Sequence, residues 1–246
     1  MRPEVFPSPF CAGCGHGIIL SATLRAIDDL GLDFSQMLFV SGIGCAAWIP
    51  SPHFAADTLH TMHGRAVPFA TGAKIQNPQL TVMVISGDGD LAAIGGNHLI
   101  HAARRNIDIT VITANNSVYG MTGGQLAPTT PLDCRTTTSP LGNTEPPFDL
   151  CKLVEGAGAG YVARFTVFHI HPLIKSIKNA LTYKGFSFIE VVSPCPTQFG
   201  RMNAYNQPRD LYSNLKKDFL PLARYDKLPP EERKGIIPVG EFVKGQ

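Results

Sequence analysis

Positions Ile19, Thr23, Ala26, Ile27 and Leu30 recur at helical spacing through the run from Ile18 to Leu30, which stops at Gly31. This predicts an amphipathic helix closed by a glycine. Met37 to Val40 is a short apolar run ending in the turn Ser41-Gly42-Ile43-Gly44-Cys45, and Leu80 to Ile85 is a longer one ending in Ser86-Gly87-Asp88-Gly89-Asp90. A helical stretch over roughly Gly95 to Arg105 precedes a third apolar run, Ile109 to Ala114. Further along, a strand is predicted at Tyr161 to Arg164, a helix near Pro172 to Leu181 and a strand from Phe186 to Val192.

These strands lack polar–apolar alternation and are separated by helices. Both faces of the sheet must therefore be covered, so the fold class expected is α/β, a mostly parallel sheet with helices on both faces. Ligands of such sheets bind beyond the carboxyl ends of the strands. Gly- or Asn-rich turns at 41–45, 86–90 and 115–116 fall at those ends.

Two regions break the pattern. Gln125 to Phe148 is rich in Thr, Pro and Gly; a structureless stretch of that length is usually functional or covered by a partner. The segment after Phe199 is polar, holds Pro229-Pro230 and shows no clear periodicity. It reads as an extension, 200–246, of a single domain, 1–199.

Composition narrows the class. Apolar residues are 44% and charged residues 16% of the 246 residues, which excludes disorder and long coiled coils. The low charge also points to surface covered by a partner. With 24 Gly and 20 Pro and no collagen-like period, many tight loops surround a packed core. A net charge of +2 with scattered Lys and Arg gives nucleic acid nothing to bind. No apolar run approaches a membrane span, and Met1 to Phe10 is Pro-rich without a signal-peptide core. The expected location is the cytoplasm. There, six cysteines are metal ligands or buried thiols and not disulfides.

Gly87-Asp88-Gly89 ends one buried strand and Asn115-Asn116 ends the next, with 25 residues between the motifs. Each alone is ordinary turn chemistry. Together they flank one crossover helix, so both turns reach the same edge of the sheet. The Asp88 carboxylate and the Asn116 side-chain carbonyl are then two hard oxygen ligands of the kind Mg²⁺ accepts beside phosphate and water. Gly87 and Gly89 let the backbone approach a phosphate. The ligand expected is a Mg-diphosphate.

Cys11 and Cys14 form a C-x-x-C just before the first helix, Cys45 follows the run at 37–40, and Cys195 lies in Ser-Pro-Cys-Pro-Thr at 193–197. One C-x-x-C pair and two distant thiolates can build an iron–sulfur or a zinc site. The second C-x-x-C of a zinc ribbon is absent, and spacing alone leaves iron–sulfur, zinc and free thiols open.

The Gly-Asp-Gly and Asn-Asn pair resembles the signature of thiamine-diphosphate enzymes, in their diphosphate-binding domain. The resemblance implies that Asp88, Asn116 and the backbone carbonyl of Val118 hold the metal. Over residues 10 to 200, the string around Cys11 and Cys14, Ser41 to Cys45, His63-Gly64-Arg65-Ala66, Gly87 to Asp90, Tyr119 to Gln125 and Ser193 to Thr197 follow one family in order. They resemble the β subunit of 2-oxoacid:ferredoxin oxidoreductases, most closely those acting on 2-oxoglutarate.

The resemblance implies three cofactors: thiamine diphosphate, Mg²⁺ and a [4Fe–4S] cluster on Cys11, Cys14, Cys45 and Cys195. It places Ile43, Gly44, Cys45, Ala46 and His63 against the thiamine. Gly87, Gly89, Asp90, Gly120, Met121 and Thr122 then line the diphosphate and thiazolium. His63 and Arg65 are the candidate catalytic side chains, although the cofactor carries the hard chemistry. Cys134 and Cys151 have no counterpart and read as plain thiols. The activity implied is coenzyme A-dependent oxidative decarboxylation of a 2-oxoacid, or its reverse, with electrons leaving through the cluster to ferredoxin. The acid that activates thiamine comes in this family from a separate pyrimidine-binding domain. An α subunit is therefore implied as partner, in a dimer of αβ units.

At Gly123-Gly124 the sequence departs from relatives that carry a Lys at the first of these positions on the substrate side. Pyruvate or a branched-chain 2-oxoacid is the neighbouring alternative to 2-oxoglutarate. From other classes, a non-catalytic zinc scaffold would keep the cysteines without redox chemistry. A Rossmann dinucleotide site lacks its third glycine, since Ser41 to Cys45 offers only Gly42 and Gly44. A non-redox thiamine enzyme has no use for four cluster-spaced cysteines.

Overall fold

The computed structural model describes residues 1–205 and 207–245. In chain order the elements are α1 (His16–Asp29), β1 (Met37–Ser41), β2 (Asp57–His60), α2 (Ala66–Gln76), β3 (Thr81–Gly87), α3 (Gly96–Arg104) and β4 (Thr110–Asn115). A small hairpin, β5 (Val118–Tyr119) and β6 (Gln125–Leu126), precedes α4 (Leu150–Gly156), β7 (Tyr161–Thr166), α5 (Ile170–Thr182) and β8 (Ser187–Val192). Last come α6 (Pro208–Asp218), β9 (Phe219–Pro221), α7 (Leu222–Tyr225) and β10 (Ile237–Lys244).

Eight strands form one sheet in the order β2-β1-β3-β4-β8-β7-β10-β9. The six strands from β2 to β7 in that order are parallel. β10 runs antiparallel to its neighbour β7, and β9 runs parallel to β10. Successive residues of a strand face opposite cores: Met83 and Ile85 of β3 join Ile19, Leu173 and Ile177 of α1 and α5 on one side. Val82 and Val84 join Val67, Leu99 and Val154 of α2, α3 and α4 on the other. Continuous apolar strands are the consequence of that two-sided burial. Among the described residues, no helix is long and apolar enough to cross a membrane.

The mostly parallel α/β sheet and the elements expected from periodicity are present within a few residues of their expected ends. The segment after Phe199 differs from its reading in one respect: it contains regular elements, and β10 belongs to the main sheet. Its signal was weak because β10 is only partly buried, with Val239 alone fully inside. The helix α2 went unread because it carries Pro68 and Gly72. Gln125 to Phe148 is almost without regular structure, but Asn143 braces it from within: its buried amide donates to the carbonyls of Thr130 and Glu145 at 2.7 and 2.8 Å.

Candidate cofactor and thiol site

Strands β1, β3, β4 and β8 are adjacent and parallel, so the loops beyond their carboxyl ends meet. These loops carry Gly42 to Cys45, Asp88 to Asp90, Asn116 to Gly120 and Ser193 to Cys195. The reverse turn that follows β4 is held by its own side chains. Asn115 Oδ1 accepts from the backbone N–H of Ser117 at 3.0 Å, and Asn116 Oδ1 accepts from Val118 at 3.2 Å. Ser117 sits at φ 64° to close it.

Asp88 is fully buried and faces this turn. Its carboxylate accepts from the backbone N–H of Asn116 at 3.3 Å and from the Thr129 hydroxyl. Burial pushes the Asp88 carboxyl up to about 6, with the Thr129 and backbone hydrogen bonds opposing. Burial outweighs these donors, so the carboxylate is under-compensated in charge. One cavity is lined by Asp88, Asn116 and Val118, by the side-chain-free surfaces of Gly87, Gly89 and Gly120, and by Ile43 to Ala46, His63, Asp90, Met121 and Thr122. A carboxylate, an amide carbonyl and a backbone carbonyl beside bare backbone form a donor set that fits Mg²⁺ carrying a diphosphate.

The carboxylate of Asp90 turns to the protein. It accepts from the backbone N–H groups of Gly64 at 2.8 Å and Ile43 at 3.2 Å and from Ser86 Oγ at 2.7 Å, and His63 Nδ1 stands 2.7 Å away. Two loops and the end of β3 are thereby tied to one side chain. A Cβ on Gly42 would lie 2.0 Å from Asp90 Oδ2, so only glycine fits there. Arg65 is outside the cavity lining; its guanidinium rests on the carbonyls of Gly64 and Ile94.

The four cysteines Cys11, Cys14, Cys45 and Cys195 line a second cavity of about 150 Å³ together with His16, Trp48 and Met121. Burial pushes the Cys14 thiol up to about 12. The sulfurs of Cys195, Cys45 and Cys11 push the same way, opposed by the backbone N–H of His16 donating to Cys14. The thiols thus sense one another across one space. Among the described residues, no three of these sulfurs lie mutually within 4.8 Å. Burial also holds the His16 imidazole neutral, pulling it down to about 4.

The two cavities share a wall. Cys45, Asn116 and Met121 line both, and a Cβ on Gly120 would be 3.7 Å from Asn116 Nδ2, Cys45 Sγ and Cys195 Sγ alike. Cys134 lies in the 125–148 loop and Cys151 on α4, both away from that wall. At the departure noted above, Gly123 and Gly124 have φ of 116° and 84°, backbone that a Lys adopts only with strain.

Several contributors carry no local sequence signal. Tyr119 sits inside the 119–125 motif, and its hydroxyl donates to the Gly89 carbonyl at 2.9 Å. Thr129 lies in the 125–148 loop, where nothing in its neighbours marks its contact with Asp88. Glu190 reads as an ordinary strand residue, yet it accepts from Asn115.

Residues 42–191 match the family model described as thiamine pyrophosphate enzyme, C-terminal TPP binding domain. The chain is 51% identical over 243 residues to the 2-oxoglutarate synthase subunit KorB of Methanothermobacter marburgensis, covering 99% of this chain and 85% of that one. It is 45% identical over 191 residues to the 2-oxoacid:ferredoxin oxidoreductase subunit beta of Saccharolobus solfataricus, covering 76% and 62%. A solved structure of the 2-oxoglutarate:ferredoxin oxidoreductase from Magnetococcus marinus, with 2-oxoglutarate, coenzyme A and succinyl-CoA bound, superposes with a TM-score of 0.85 at 31% identity. It covers 100% of this chain and 86% of that one.

Proposed function

This chain belongs to the β subunits of the 2-oxoacid:ferredoxin oxidoreductases, and from that membership we propose that it is the β subunit of an enzyme converting 2-oxoglutarate and coenzyme A to succinyl-CoA and CO₂, or the reverse, with ferredoxin as electron partner. The observation that carries the reading is the shared wall at Gly120, with an oxygen-rich diphosphate cradle on one side and four thiols on the other. A cofactor held in the cradle and a cluster held by the thiols would be neighbours across that wall.

In this proposal Asp88, Asn116 and the Val118 carbonyl hold Mg²⁺, and the bare backbone of Gly87, Gly89 and Gly120 admits the diphosphate. Thiamine diphosphate, when bound, supplies the carbanion chemistry of decarboxylation. The chain's own part is placement: Asp90 pins the loops bearing Ile43 and His63, and Tyr119 ties Gly89 to the turn after β4. Cys11, Cys14, Cys45 and Cys195 hold a [4Fe–4S] cluster. The carboxylate for the pyrimidine ring comes, in this proposal, from an α subunit, in an assembly of two αβ units.

The test is ferredoxin reduction by the anaerobic αβ complex given coenzyme A and, in turn, 2-oxoglutarate, pyruvate and a branched-chain 2-oxoacid. A preference for 2-oxoglutarate supports the proposal. Preference for either other acid moves the specificity to the neighbouring alternative. A complex inactive with all three, or a β chain that decarboxylates unaided, overturns it.

A further inference from the structure

His16 is the first residue of α1 and has no exposed surface. Its ring has two distinct edges. Nδ1 lies 3.3 Å from Ser193 Oγ, whereas Nε2 is buried with no hydrogen-bond partner among the described residues. The same residue lines the cavity shared by the four cysteines. The Ser193 hydroxyl can donate to Nδ1, and in that tautomer the ring proton is on Nε2. A buried N–H that no protein group accepts is rare and calls for an acceptor of another kind.

The rest of the cavity wall explains which acceptor. Phe10 packs its ring edge-on against His16, with centroids 5.6 Å apart, and Trp48, Met121 and Pro196 add further apolar surface. The other polar groups of the wall are Asn116, Thr197 and the Trp48 indole N–H, and the His16 backbone N–H already points at Cys14 sulfur. With four thiols on the same wall, sulfur is the most numerous acceptor it encloses.

We propose that His16 Nε2–H donates a hydrogen bond to a sulfur of the iron–sulfur cluster and thereby raises its reduction potential. The inference rests on the [4Fe–4S] reading above. Reduction adds one electron and one unit of negative charge to the cluster, and a hydrogen bond to sulfur stabilises the more negative state. The Ser193 hydroxyl acts through His16 by fixing its tautomer, and so is a positioning group.

The experiment uses the anaerobic αβ complex with iron and sulfide quantified first. If wild-type complex carries no cluster, the underlying reading fails and takes this inference with it, and the missing iron identifies that cause. With the cluster present, pulsed EPR of the reduced complex labelled with ¹⁵N-histidine is expected to show a nitrogen coupling that His16→Gln abolishes. Redox titration of His16→Leu is expected to lower the equilibrium constant for reduction about tenfold, a shift of 59 mV for a one-electron couple. His16→Gln retains an N–H near the Nε2 position and is expected to recover most of that loss. An unchanged midpoint in His16→Leu at full iron content, or a wild-type cluster without histidine coupling, overturns the proposal. Should His16→Leu fail to assemble the cluster, the wild-type coupling decides.

Discussion

Asn115 Nδ2 donates to the buried Glu190 carboxylate at 2.7 Å, bridging the ends of β4 and β8. The same Asn115 receives the Ser117 N–H, so the turn that presents Asn116 and Val118 is anchored to Glu190. Arg164 Nε donates to the other oxygen of Glu190 at 2.7 Å, and its guanidinium also reaches Asp149. Glu190→Ala should therefore act twice. Removing one partner of a buried ion pair costs about 3 kcal/mol or more, to be seen in urea unfolding. The loosened turn should also weaken Mg-thiamine diphosphate binding, measured by titration calorimetry on the αβ complex. Unchanged cofactor affinity would confine Glu190 to a structural role.

Asp88 predicts a trade between stability and function. Its folded carboxyl is raised by burial to about 6 from an ordinary 3.8, so between those values the folded state binds more protons than the unfolded one. Stability of the metal-free chain should then fall as pH rises from about 4 to about 6, by on the order of 2–3 kcal/mol from this group. Asp88→Asn should remove that dependence and raise the melting temperature in EDTA at pH 7. It should also abolish Mg-dependent cofactor binding. A metal-free Asp88→Asn chain no more stable than wild type would contradict the burial argument.

The cysteines separate cleanly. Serine at Cys11, Cys14, Cys45 or Cys195 should cost most or all of about four irons and four sulfides per chain, the content of a Cys₄ cubane. Serine at Cys134 should leave both contents at the wild-type level. Metal analysis of anaerobic preparations checks this; iron retained in Cys45→Ser would exclude that ligand.

Much of this site was legible because its chemistry is carried by short motifs at strand ends. Asp88 and Asn116 reveal themselves through Gly-Asp-Gly and Asn-Asn, and the crossover rule puts them together. The resemblance makes Asp90 a wall of the cofactor site. It does line the cavity, but its oxygens hold Ile43, Gly64 and Ser86, contacts between residues far apart in sequence that no local pattern encodes. Glu190 and Thr129 were hidden for the same reason: each acts across the sheet ends on a residue whose motif it does not share. Arg65 belonged to a motif and nevertheless points at the carbonyls of Gly64 and Ile94. Membership in a motif fixes a backbone position more firmly than a side-chain direction.

Gly42 tests the packing around Asp90. A methyl group there would overlap the carboxylate, and overpacking of this kind costs about 1–3 kcal/mol. Gly42→Ala should displace Asp90, release the Ile43 and Gly64 loops and lower cofactor affinity and, because Cys45 lies in the same loop as Ile43, lower the iron content with it. Full iron content with lost cofactor affinity would show that the two cavities fold independently.

The segment beyond Phe199 completes the sheet, and its removal should be costly. β10 covers the edge of β7 in antiparallel pairing, and Val239 is buried in the core beside Leu173 and Ile177. Glu241 Oε1 accepts from the Tyr161 hydroxyl at 2.7 Å and from Asn179 at 2.6 Å. Burying one valine contributes about 1.5–3 kcal/mol and each hydrogen bond about 1 kcal/mol, so truncation after Phe199 should destabilise by roughly 3 kcal/mol or more. The uncovered edge of β7 would also be a template for pairing with another chain. Size-exclusion chromatography should find the truncated chain aggregated, and urea unfolding of any soluble fraction should show an earlier midpoint. A monodisperse fragment with the full-length midpoint would make the segment a dispensable appendage.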